Sequence, residues 1–241
     1  MKFDIISIFP DFFASPLSCG ILRIAQEKKL VKIKLFNPRN YTEDGQVDDY
    51  QFGGGSGMVM KPEPINAVLE NLRSARANTI LFTPKGKSLN QKIVKQLSTE
   101  KHLILLCGRY KGIDNRINEY FEPIELSLGD YILSGGENAA LVLIESIIRL
   151  LPGALGNLDS ANSDSFEDSL LEAPIFTRPA VFKRMNVPQV LLSGNHRLIN
   201  DWRRKNALML TLNRRPDLLA GGTFQVNDLA LLLEVINEKK S

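Results

Sequence analysis

The chain has few of the residues on which metal and nucleophilic chemistry usually depend. Among 241 residues there are 2 histidines, His102 and His196, and 2 cysteines, Cys19 and Cys107. These residues do not have the spacing of zinc ligands, and a Ser-His-Asp triad would have to use one of the same two histidines. The sequence therefore supports neither a zinc enzyme nor a serine hydrolase, and no metal ligands are predicted.

The cysteines also lack a C-x-x-C arrangement, and Cys107 ends an apolar run. A reduced, buried thiol is expected there, which favours a cytoplasmic protein. No signal peptide is expected, because the first residues form a strand-like run without a basic segment before it. The longest apolar stretch, 139–151, contains Glu145 and Arg149 and is too short for a bilayer, so no membrane association is expected.

Composition and charge restrict the function only loosely. The net charge is +3, and 44% of the residues are hydrophobic and 24% charged. Such values are ordinary for a globular protein. They exclude a strongly basic nucleic-acid coat but permit a local basic patch. The length allows one large domain or two modest ones.

Short apolar runs alternate with helix-period segments over residues 1–150, which predicts an α/β fold. Strands are predicted at 4–9, 31–36, 79–83, 102–107 and 123–126. Helices are predicted at 17–27, 65–73, 90–97, 114–120 and 137–151. The alternation favours a largely parallel sheet covered by helices, and the last of these helices is expected to be buried because it is apolar nearly all round.

The chain changes character after this helix. Residues 152–174 are rich in Gly, Ser, Asn and Asp, which is the composition of a linker. A disordered connection without chemistry is one interpretation of that stretch. From residue 179 the chain is predicted to be helical, most clearly at 199–212 and 228–237.

Two glycine-containing segments each follow a predicted strand. They are LCGRYKGID at 106–114 and SLGDYILSGGE at 127–137. Glycine lets the backbone approach a ligand without a Cβ in the way, and loops at neighbouring strand ends form the small-molecule sites of α/β domains. Neither segment is a dinucleotide or P-loop motif. Tight turns are the alternative, but two such loops together favour a ligand site.

A third segment, FGGGSGM at 52–58, has 4 glycines among the 5 residues 53–57. Glycine loses more conformational freedom on folding than any other residue, so a simple turn rarely contains this many. The segment is either a flexible loop or a place where the backbone passes close to something large.

The segment from His196 to Arg215 is strongly basic. Against one acid, Asp201, it carries Arg197, Arg203, Arg204, Lys205, Arg214 and Arg215. Such a run fits a solvated helix face, and it also fits a surface that binds nucleic-acid phosphates. Charge alone does not separate the two interpretations.

Taken together, the motifs resemble the bacterial tRNA (guanine-N1)-methyltransferases of the SPOUT superfamily. The similarity covers DIISIFPDFF at 4–13, FGGGSGM at 52–58, LCGRYKGID at 106–114, SLGDYILSGGE at 127–137, DSF at 164–166, FTRP at 176–179 and VLLSGNH at 190–196. Several long motifs in one order are far more specific than one glycine loop.

The resemblance implies a fold and a reaction. The fold would be a parallel α/β domain with a C-terminal trefoil knot, an exception to the rule that chains do not knot, followed by a flexible linker and a small helical domain. The implied ranges are 1–154 for the knotted domain, 155–173 for the linker and 174–241 for the tRNA-binding domain. The implied protein is a cytoplasmic homodimer that transfers a methyl group from S-adenosylmethionine to N1 of guanine 37 in tRNA.

The resemblance also implies site residues. The cofactor would be bound, largely through backbone groups, by Phe82, Thr83, Pro84, Gly108, Arg109, Tyr110, Leu128, Gly129, Asp130, Tyr131, Ile132, Leu133, Gly135 and Gly136. Asp164 matches the family's proposed general base, supplied by the other subunit, and Arg149 matches the proposed partner of guanine O6. RNA would be contacted by Gly54, Gly55, Gly57, Ser165, His196, Arg197, Arg203, Arg214 and Arg215.

One residue departs from the family pattern. Many members have an acid where this chain has Lys111, so the resemblance leaves a magnesium requirement open. Two alternatives also stay open, namely a SPOUT enzyme that methylates a ribose 2′-hydroxyl or another base, and a non-catalytic RNA-binding module on the same scaffold. The presence of both Asp164 and Arg149 counts against the binding module.

Overall fold

The fold is that of a computed structural model. It describes residues 1–72, 77–155, 164–166, 168–220, 222, 224 and 226–238. The chain divides into two compact units, the amino-terminal unit Met1–Gly156 and the carboxy-terminal unit Asn157–Ser241. Residues 156–163 and 167 of the predicted linker and Arg73 of a predicted helix lie outside the described residues.

The amino-terminal unit is built on a five-stranded sheet in the order β2-β1-β6-β5-β7. The strands of the chain are β1 (Lys2–Ile6), β2 (Lys32–Phe36), β3 (Asp48–Tyr50), β4 (Met58–Met60), β5 (Asn78–Ser88), β6 (His102–Leu106), β7 (Ile124–Ser127), β8 (Val181–Phe182) and β9 (Met185–Asn186). Every neighbouring pair in the five-stranded sheet is parallel. The predicted α/β class with a largely parallel sheet is therefore confirmed, whereas the trefoil knot stays a prediction.

Helices follow most strands of this sheet and continue through the carboxy-terminal unit. They are α1 (Ala14–Leu17), α2 (Gly20–Glu27), α3 (Pro62–Leu72), α4 (Gln91–Ser98), α5 (Asn115–Phe121), α6 (Glu137–Leu150), α7 (Gln189–Leu192), α8 (His196–Arg214), α9 (Pro216–Ala220) and α10 (Val226–Glu238). In the part of the chain that the structure describes, no helix has the length and apolar composition needed to cross a membrane.

Polar side chains define where several helices begin. Asn90 precedes α4 and accepts a hydrogen bond from the Ile93 amide at 3.0 Å. Asp114 precedes α5 and accepts one from the Arg116 amide at 2.9 Å. These side chains satisfy amide groups that have no partner within the helix, which is why Asn and Asp are favoured at this position. Asn195 caps α8 in the same way.

Alternating residues of the central strands form two buried clusters, one on each face of the sheet. Leu103 and Leu105 of β6 belong to one cluster, and Ile104 and Leu106 belong to the other. This follows from the period of two along a strand. Both faces are apolar because helices cover both, as is usual in parallel sheets.

The sequence predicts that the helix after the second glycine loop is buried, and this is confirmed for the face that packs beside the sheet. Leu143, Ile144 and Ile147 of α6 pack into one cluster beside the sheet. Val142 and Glu145 are exposed on the other side. A helix that covers one face of a sheet buries only one stripe, so an apolar residue such as Val142 can remain at the surface.

Two predicted strands differ in length from those observed. β1 ends at Ile6 instead of residue 9, because Ser7 Oγ accepts a hydrogen bond from the Phe9 amide at 3.0 Å and the chain turns. β5 continues to Ser88 instead of 83, because Ser88 pairs with Ser127 of β7 after an irregularity. A Cβ at Gly86 would lie 2.4 Å from the Leu126 amide nitrogen, so the close approach of β5 to β7 at this point requires glycine.

Helix boundaries also differ at prolines and glycines. α3 begins at Pro62, three residues before the prediction of 65, because proline is tolerated in the first turn of a helix. The predicted helix 17–27 is divided into α1 and α2, and Gly20, the first residue of α2, has a φ of +53°. α8 extends beyond the predicted 199–212 at both ends.

The sequence does not predict the short strands β3 and β4, which pair antiparallel with Tyr50 opposite Met58. The glycine run lies between them and forms the loop of this hairpin. Gly53, Gly54, Gly55 and Gly57 have φ values of +81°, +77°, +119° and +90°. Residues with a side chain rarely adopt such values, which explains why the loop contains so many glycines.

Candidate active site

A cavity of about 870 Å³ lies at the carboxyl ends of β6 and β7 and beside residues 81–85 of β5. The carboxyl edge of a parallel sheet is where α/β domains bind small molecules, and the volume lies within the range of such sites. Segments 81–85, 108–113 and 125–136 form most of its wall. The position therefore agrees with the ligand site predicted from the two glycine loops.

Most residues predicted to bind the cofactor line this cavity. They are Phe82, Thr83, Pro84, Gly108, Arg109, Tyr110, Leu128, Gly129, Tyr131, Ile132, Leu133, Gly135 and Gly136. Asp130, also predicted, is exposed and is not among the residues that line it. Asp130 is the central residue of a tight turn in which the Tyr131 amide donates to the Gly129 carbonyl at 2.9 Å.

The sequence predicts that the two glycine loops follow neighbouring strands, and this is wrong. The loops follow β6 and β7, which are not adjacent in the sheet. β5 lies between β6 and β7 in the sheet. The continuation of β5 past Phe82 consequently supplies a third wall of the cavity through Thr83, Pro84 and Lys85. Strand order depends on long-range pairing, so the composition of the loops could not reveal this arrangement.

The glycine loops touch each other backbone to backbone. The Gly136 amide donates to the Gly108 carbonyl at 3.0 Å, and Arg109 and Gly135 form an isolated antiparallel bridge. A Cβ at Gly136 would lie 2.9 Å from Cys107 Cα. Some glycines of these loops are therefore needed because protein backbone, rather than a ligand, comes close.

A buried carboxylate stabilises the junction of these loops. Glu137, at the first turn of α6, is 1% exposed. Its Oε1 accepts hydrogen bonds from Ser7 Oγ at 2.7 Å and from Arg109 Nε at 3.1 Å. The Arg109 guanidinium also lies 4.6 Å from the centre of the Phe9 ring. One carboxylate thus connects the end of β1, the loop after β6 and the start of α6.

The buried thiol beside this junction is not suited to nucleophilic chemistry. Cys107 is completely buried at the end of β6. Burial, and next the negative charge of Glu137, raise the pKa of the thiol well above its ordinary value. The neutral form is a poor nucleophile. Cys107 therefore contributes to packing, and the buried thiol predicted from the sequence is confirmed.

The glycine hairpin and Lys111 meet at the rim of the cavity. The Lys111 amide donates to the Met58 carbonyl at 3.0 Å, and the Met60 amide donates to the Gly112 carbonyl at 3.0 Å. Gly57 and Lys111 both line the cavity. A Cβ at Gly57 would lie 2.9 Å from Lys111 Cγ, so glycine leaves room for the lysine stem.

The two residues predicted to perform catalysis belong to different units. Arg149 is exposed in the last turn of α6 in the amino-terminal unit. Asp164 is half-buried in the carboxy-terminal unit, where it lines a second cavity of about 760 Å³ together with Trp202 and Arg203. Ser165, predicted to contact RNA, accepts a hydrogen bond from the Glu172 amide through Oγ at 3.0 Å.

The basic segment contains residues in two different situations. His196, Arg197, Arg203 and Arg214 are exposed, and Arg215 is exposed but pairs with Asp217 at 2.6 Å. Arg204 and Lys205 are instead half-buried and paired with acids of α10. One part of the segment is therefore a solvated helix face, and the other part forms ion pairs between α8 and α10. Only the exposed part is accessible to phosphates.

Within the described ranges, no group of 3 or more His, Cys, Asp or Glu side chains is arranged to hold a metal ion. Asp114, close to Lys111, forms a fork with Arg116, with oxygen–nitrogen distances of 2.9 and 2.8 Å. These hydrogen bonds lower the pKa of Asp114. This carboxylate is committed to capping α5.

Comparison with known proteins decides the family. Residues 1–221 match the family described as tRNA (Guanine-1)-methyltransferase TrmD. The chain belongs to this family. The resemblance found in the sequence motifs is thereby confirmed, and membership of the SPOUT superfamily is consistent with it.

Similar proteins of this family cover nearly the whole chain. A protein from Dictyoglomus turgidum named tRNA (guanine-N(1)-)-methyltransferase is 48% identical over 240 residues, 99% of this chain and 98% of that protein. Proteins of the same name from Geotalea uraniireducens and Christiangramia forsetii are 48% and 51% identical over 239 and 223 residues. These alignments cover 98% and 91% of this chain, and 97% and 99% of the two proteins.

We expect Glu137→Gln to destabilise the amino-terminal unit by about 2 kcal/mol, because it leaves the Arg109 charge at the loop junction without its carboxylate. Urea unfolding measures this change. Glu145→Gln, an exposed position of the same helix α6, is the matched control and should change the free energy of unfolding by less than about 0.5 kcal/mol. Equal effects of the two variants would show that the Glu137 network does not stabilise the unit.

Proposed function

We propose that this chain transfers a methyl group from S-adenosylmethionine to N1 of guanine 37 in tRNA and works as a cytoplasmic homodimer. The observation that carries the proposal is the cavity at the ends of β6 and β7 and beside β5, lined by the glycine loops of a chain that belongs to the tRNA (guanine-1)-methyltransferase family. The printed names of the relatives support tRNA and guanine N1 as the target. The cofactor and position 37 rest on the resemblance.

The cavity is suited to the proposed cofactor. A volume of about 870 Å³ can enclose a nucleoside joined to an amino acid. Its lining combines apolar side chains such as Phe82, Leu128 and Leu133 with glycine backbone at 108 and 129, which offers polar groups at close range. When bound, S-adenosylmethionine supplies a methyl group already activated by its sulfonium. The loops 82–84, 108–110 and 128–136 would bind and orient it.

The chemistry at the target base requires a proton acceptor. Guanine N1 carries a proton at neutral pH and is a poor nucleophile until that proton leaves. Asp164, as general base, would accept this proton while N1 attacks the methyl carbon. As this proton leaves, negative charge develops on guanine O6, where the Arg149 guanidinium would stabilise it. The charge is lost again when N1 has accepted the methyl group and the carbon–sulfur bond has broken, with the neutral thioether as the leaving group. The chain otherwise orients the reactants and excludes water.

The active site is proposed to form between two subunits of the homodimer. The resemblance implies that Asp164 of one subunit acts on the substrate bound beside the cofactor loops of the other. The side chains proposed for binding the RNA phosphates are basic and exposed, namely His196, Arg197, Arg203, Arg214 and Arg215. Gly54, Gly55, Gly57 and Ser165 would add contacts from the glycine hairpin and from the loop beside Asp164.

We expect methyl incorporation from labelled S-adenosylmethionine into an unmodified tRNA transcript with guanine at positions 36 and 37, and none when position 37 is adenine. The label should be recovered as 1-methylguanosine. Label that makes the adjoining phosphodiester resistant to alkali would indicate ribose methylation instead. Cofactor binding without label on either transcript would contradict the proposed activity.

We expect Asp164→Asn and Asp164→Ala to lower the single-turnover rate of methyl transfer by at least about 100-fold, the usual contribution of a general base. Cofactor affinity should change less than about twofold, because the cofactor loops lie in the other unit. Asp201→Asn, an exposed acid of α8 with the same loss of charge, is the control and should retain its rate. Near-normal turnover in either Asp164 variant would disprove the assignment of the base.

Lys111 lies at the rim of the cavity, so we expect Lys111→Glu to weaken S-adenosylmethionine binding about fivefold by repelling the cofactor carboxylate. Equilibrium binding measures the effect. Lys87→Glu, an exposed position of β5 that does not line the cavity, is the control. An unchanged cofactor affinity would refute this role, and weaker tRNA binding in the same variant would assign Lys111 to an RNA phosphate.

A further inference from the structure

The segment that carries Asp164 is a compact loop in the carboxy-terminal unit. We refer to residues 164–172, as far as they are described, as the Asp164 loop. The Phe166 amide donates to the Leu170 carbonyl at 2.8 Å, and the Glu172 amide donates to Ser165 Oγ at 3.0 Å. Phe166 and Ser169 have φ values of +74° and +64°. Such values are unfavourable for residues with a side chain, so external contacts are needed to maintain the loop.

One such contact is a buried hydroxyl of α8. The Leu171 amide donates to Thr211 Oγ1 at 2.9 Å. Thr211 is fully buried, and its hydroxyl donates in turn to the Ala207 carbonyl at 2.7 Å. This second bond sets the direction of the hydroxyl and leaves its lone pair to accept from Leu171. The carboxyl-terminal side of the Asp164 loop is thus attached to the last turn of α8.

The other contact is an ion pair between Asp168 of the loop and Arg204 of α8. Arg204 also makes a fork with Asp228 of α10, with Nε–Oδ1 and Nη2–Oδ2 distances of 2.7 and 2.9 Å. The Asp228 side chain is 6% exposed, whereas the Asp168 side chain is 59% exposed. The buried fork therefore sets the orientation of the guanidinium, and the remaining N–H group reaches the loop.

Arginine is suited to this bridge for a geometric reason. A planar guanidinium presents several donors in a rigid arrangement, so one edge can bind a carboxylate as a fork while another group binds a second carboxylate. Hydrogen bonding to Asp228 raises the pKa of Arg204 further, and the side chain stays charged. Lysine would retain the charge but could not reproduce both contacts in a fixed geometry.

We propose that Arg204 is a positioning residue for methyl transfer, because it connects α10 through Asp228 to Asp168 and thereby holds the loop that presents Asp164. The inference rests on the proposed function of Asp164 as the general base. Arg204 does not act on the reacting atoms. Its neighbour Arg203 is exposed and is proposed to bind RNA instead. The basic segment consequently contains one arginine that acts on rate and others that act on tRNA affinity.

The test removes the loop side of the bridge and leaves the buried fork intact. In Asp168→Asn we expect the single-turnover rate to fall about fivefold, since an ion pair with one exposed partner shifts a local equilibrium by that order. The dissociation constants for tRNA and S-adenosylmethionine and the melting temperature should stay close to those of the protein without the substitution. Asp168→Glu, which keeps a carboxylate, should restore most of the rate.

The matched control is Glu234→Gln. Glu234 of α10 has a 58% exposed side chain and pairs with Lys205 of α8 at 3.2 Å. It therefore loses a similar exposed ion pair to the same helix without touching the Asp164 loop, and its rate should be unchanged. A second variant, Arg204→Lys, should lower the rate more than Asp168→Asn and accelerate hydrogen exchange of the Leu171 and Glu172 amides.

The outcomes separate this inference from the proposed function. Asp164→Asn inactive with Asp168→Asn at full rate would overturn the positioning role and leave the general base in place. A rise in the tRNA dissociation constant of Asp168→Asn without a change in rate would also overturn it, because it would indicate an RNA contact. A fully active Asp164→Asn would refute the general base itself, whatever Asp168→Asn shows.

Discussion

The close backbone approach between the two glycine loops is the contact on which the candidate site depends. The Gly136 amide meets the Gly108 carbonyl at 3.0 Å, in a space where a Cβ at Gly136 would collide with Cys107. Immediately after this contact, Glu137 begins α6 and binds Arg109 and Ser7. Because a buried carboxylate needs partners for its charge, the same residue connects the ends of β1 and β6 to the start of α6. The shape of the cavity follows from these constraints.

The carboxy-terminal unit uses charge in a different way. α8 presents arginines that have nearly the same sequence context but different partners. Arg203 is exposed, whereas Arg204 is enclosed by Asp228 and Asp168. A run of basic residues therefore does not form a uniform binding surface. Part of its charge is neutralised inside the unit, and this part organises the loop beside Asp164.

Much of the fold could be predicted from local pattern. The strands of the central sheet were expected at nearly their observed positions, because short apolar runs between helix-period segments are typical of parallel sheets. Two of the predicted strand ends were wrong, because β1 ends at a Ser7 hydrogen bond and β5 continues past Pro84 to pair with β7. The β3–β4 hairpin was missed because its strands are 3 residues long and have no clear alternation.

The site was predicted in part for the same reason. Glycine at strand ends indicated the cavity, and motif order indicated the family. The third wall from β5 was predicted only through the resemblance, because nothing local in that strand marks it. Asp130 stays a predicted cofactor contact, although its side chain is exposed and does not line the cavity. The acids that hold Arg204 were not predicted, because Asp168 and Asp228 are far from it in the chain.

The sequence by itself determined the α/β class, the family and the position of the glycine loops, because periodicity and motif order are properties of neighbouring residues. Only the tertiary structure decided which glycines approach backbone, as Gly136 does, and which line open space. It also decided that Arg204 pairs with Asp228 and Asp168 while Arg203 stays exposed. The physical reason is that the role of a glycine or a charge depends on what lies within a few ångströms, and folding brings those partners from distant parts of the chain.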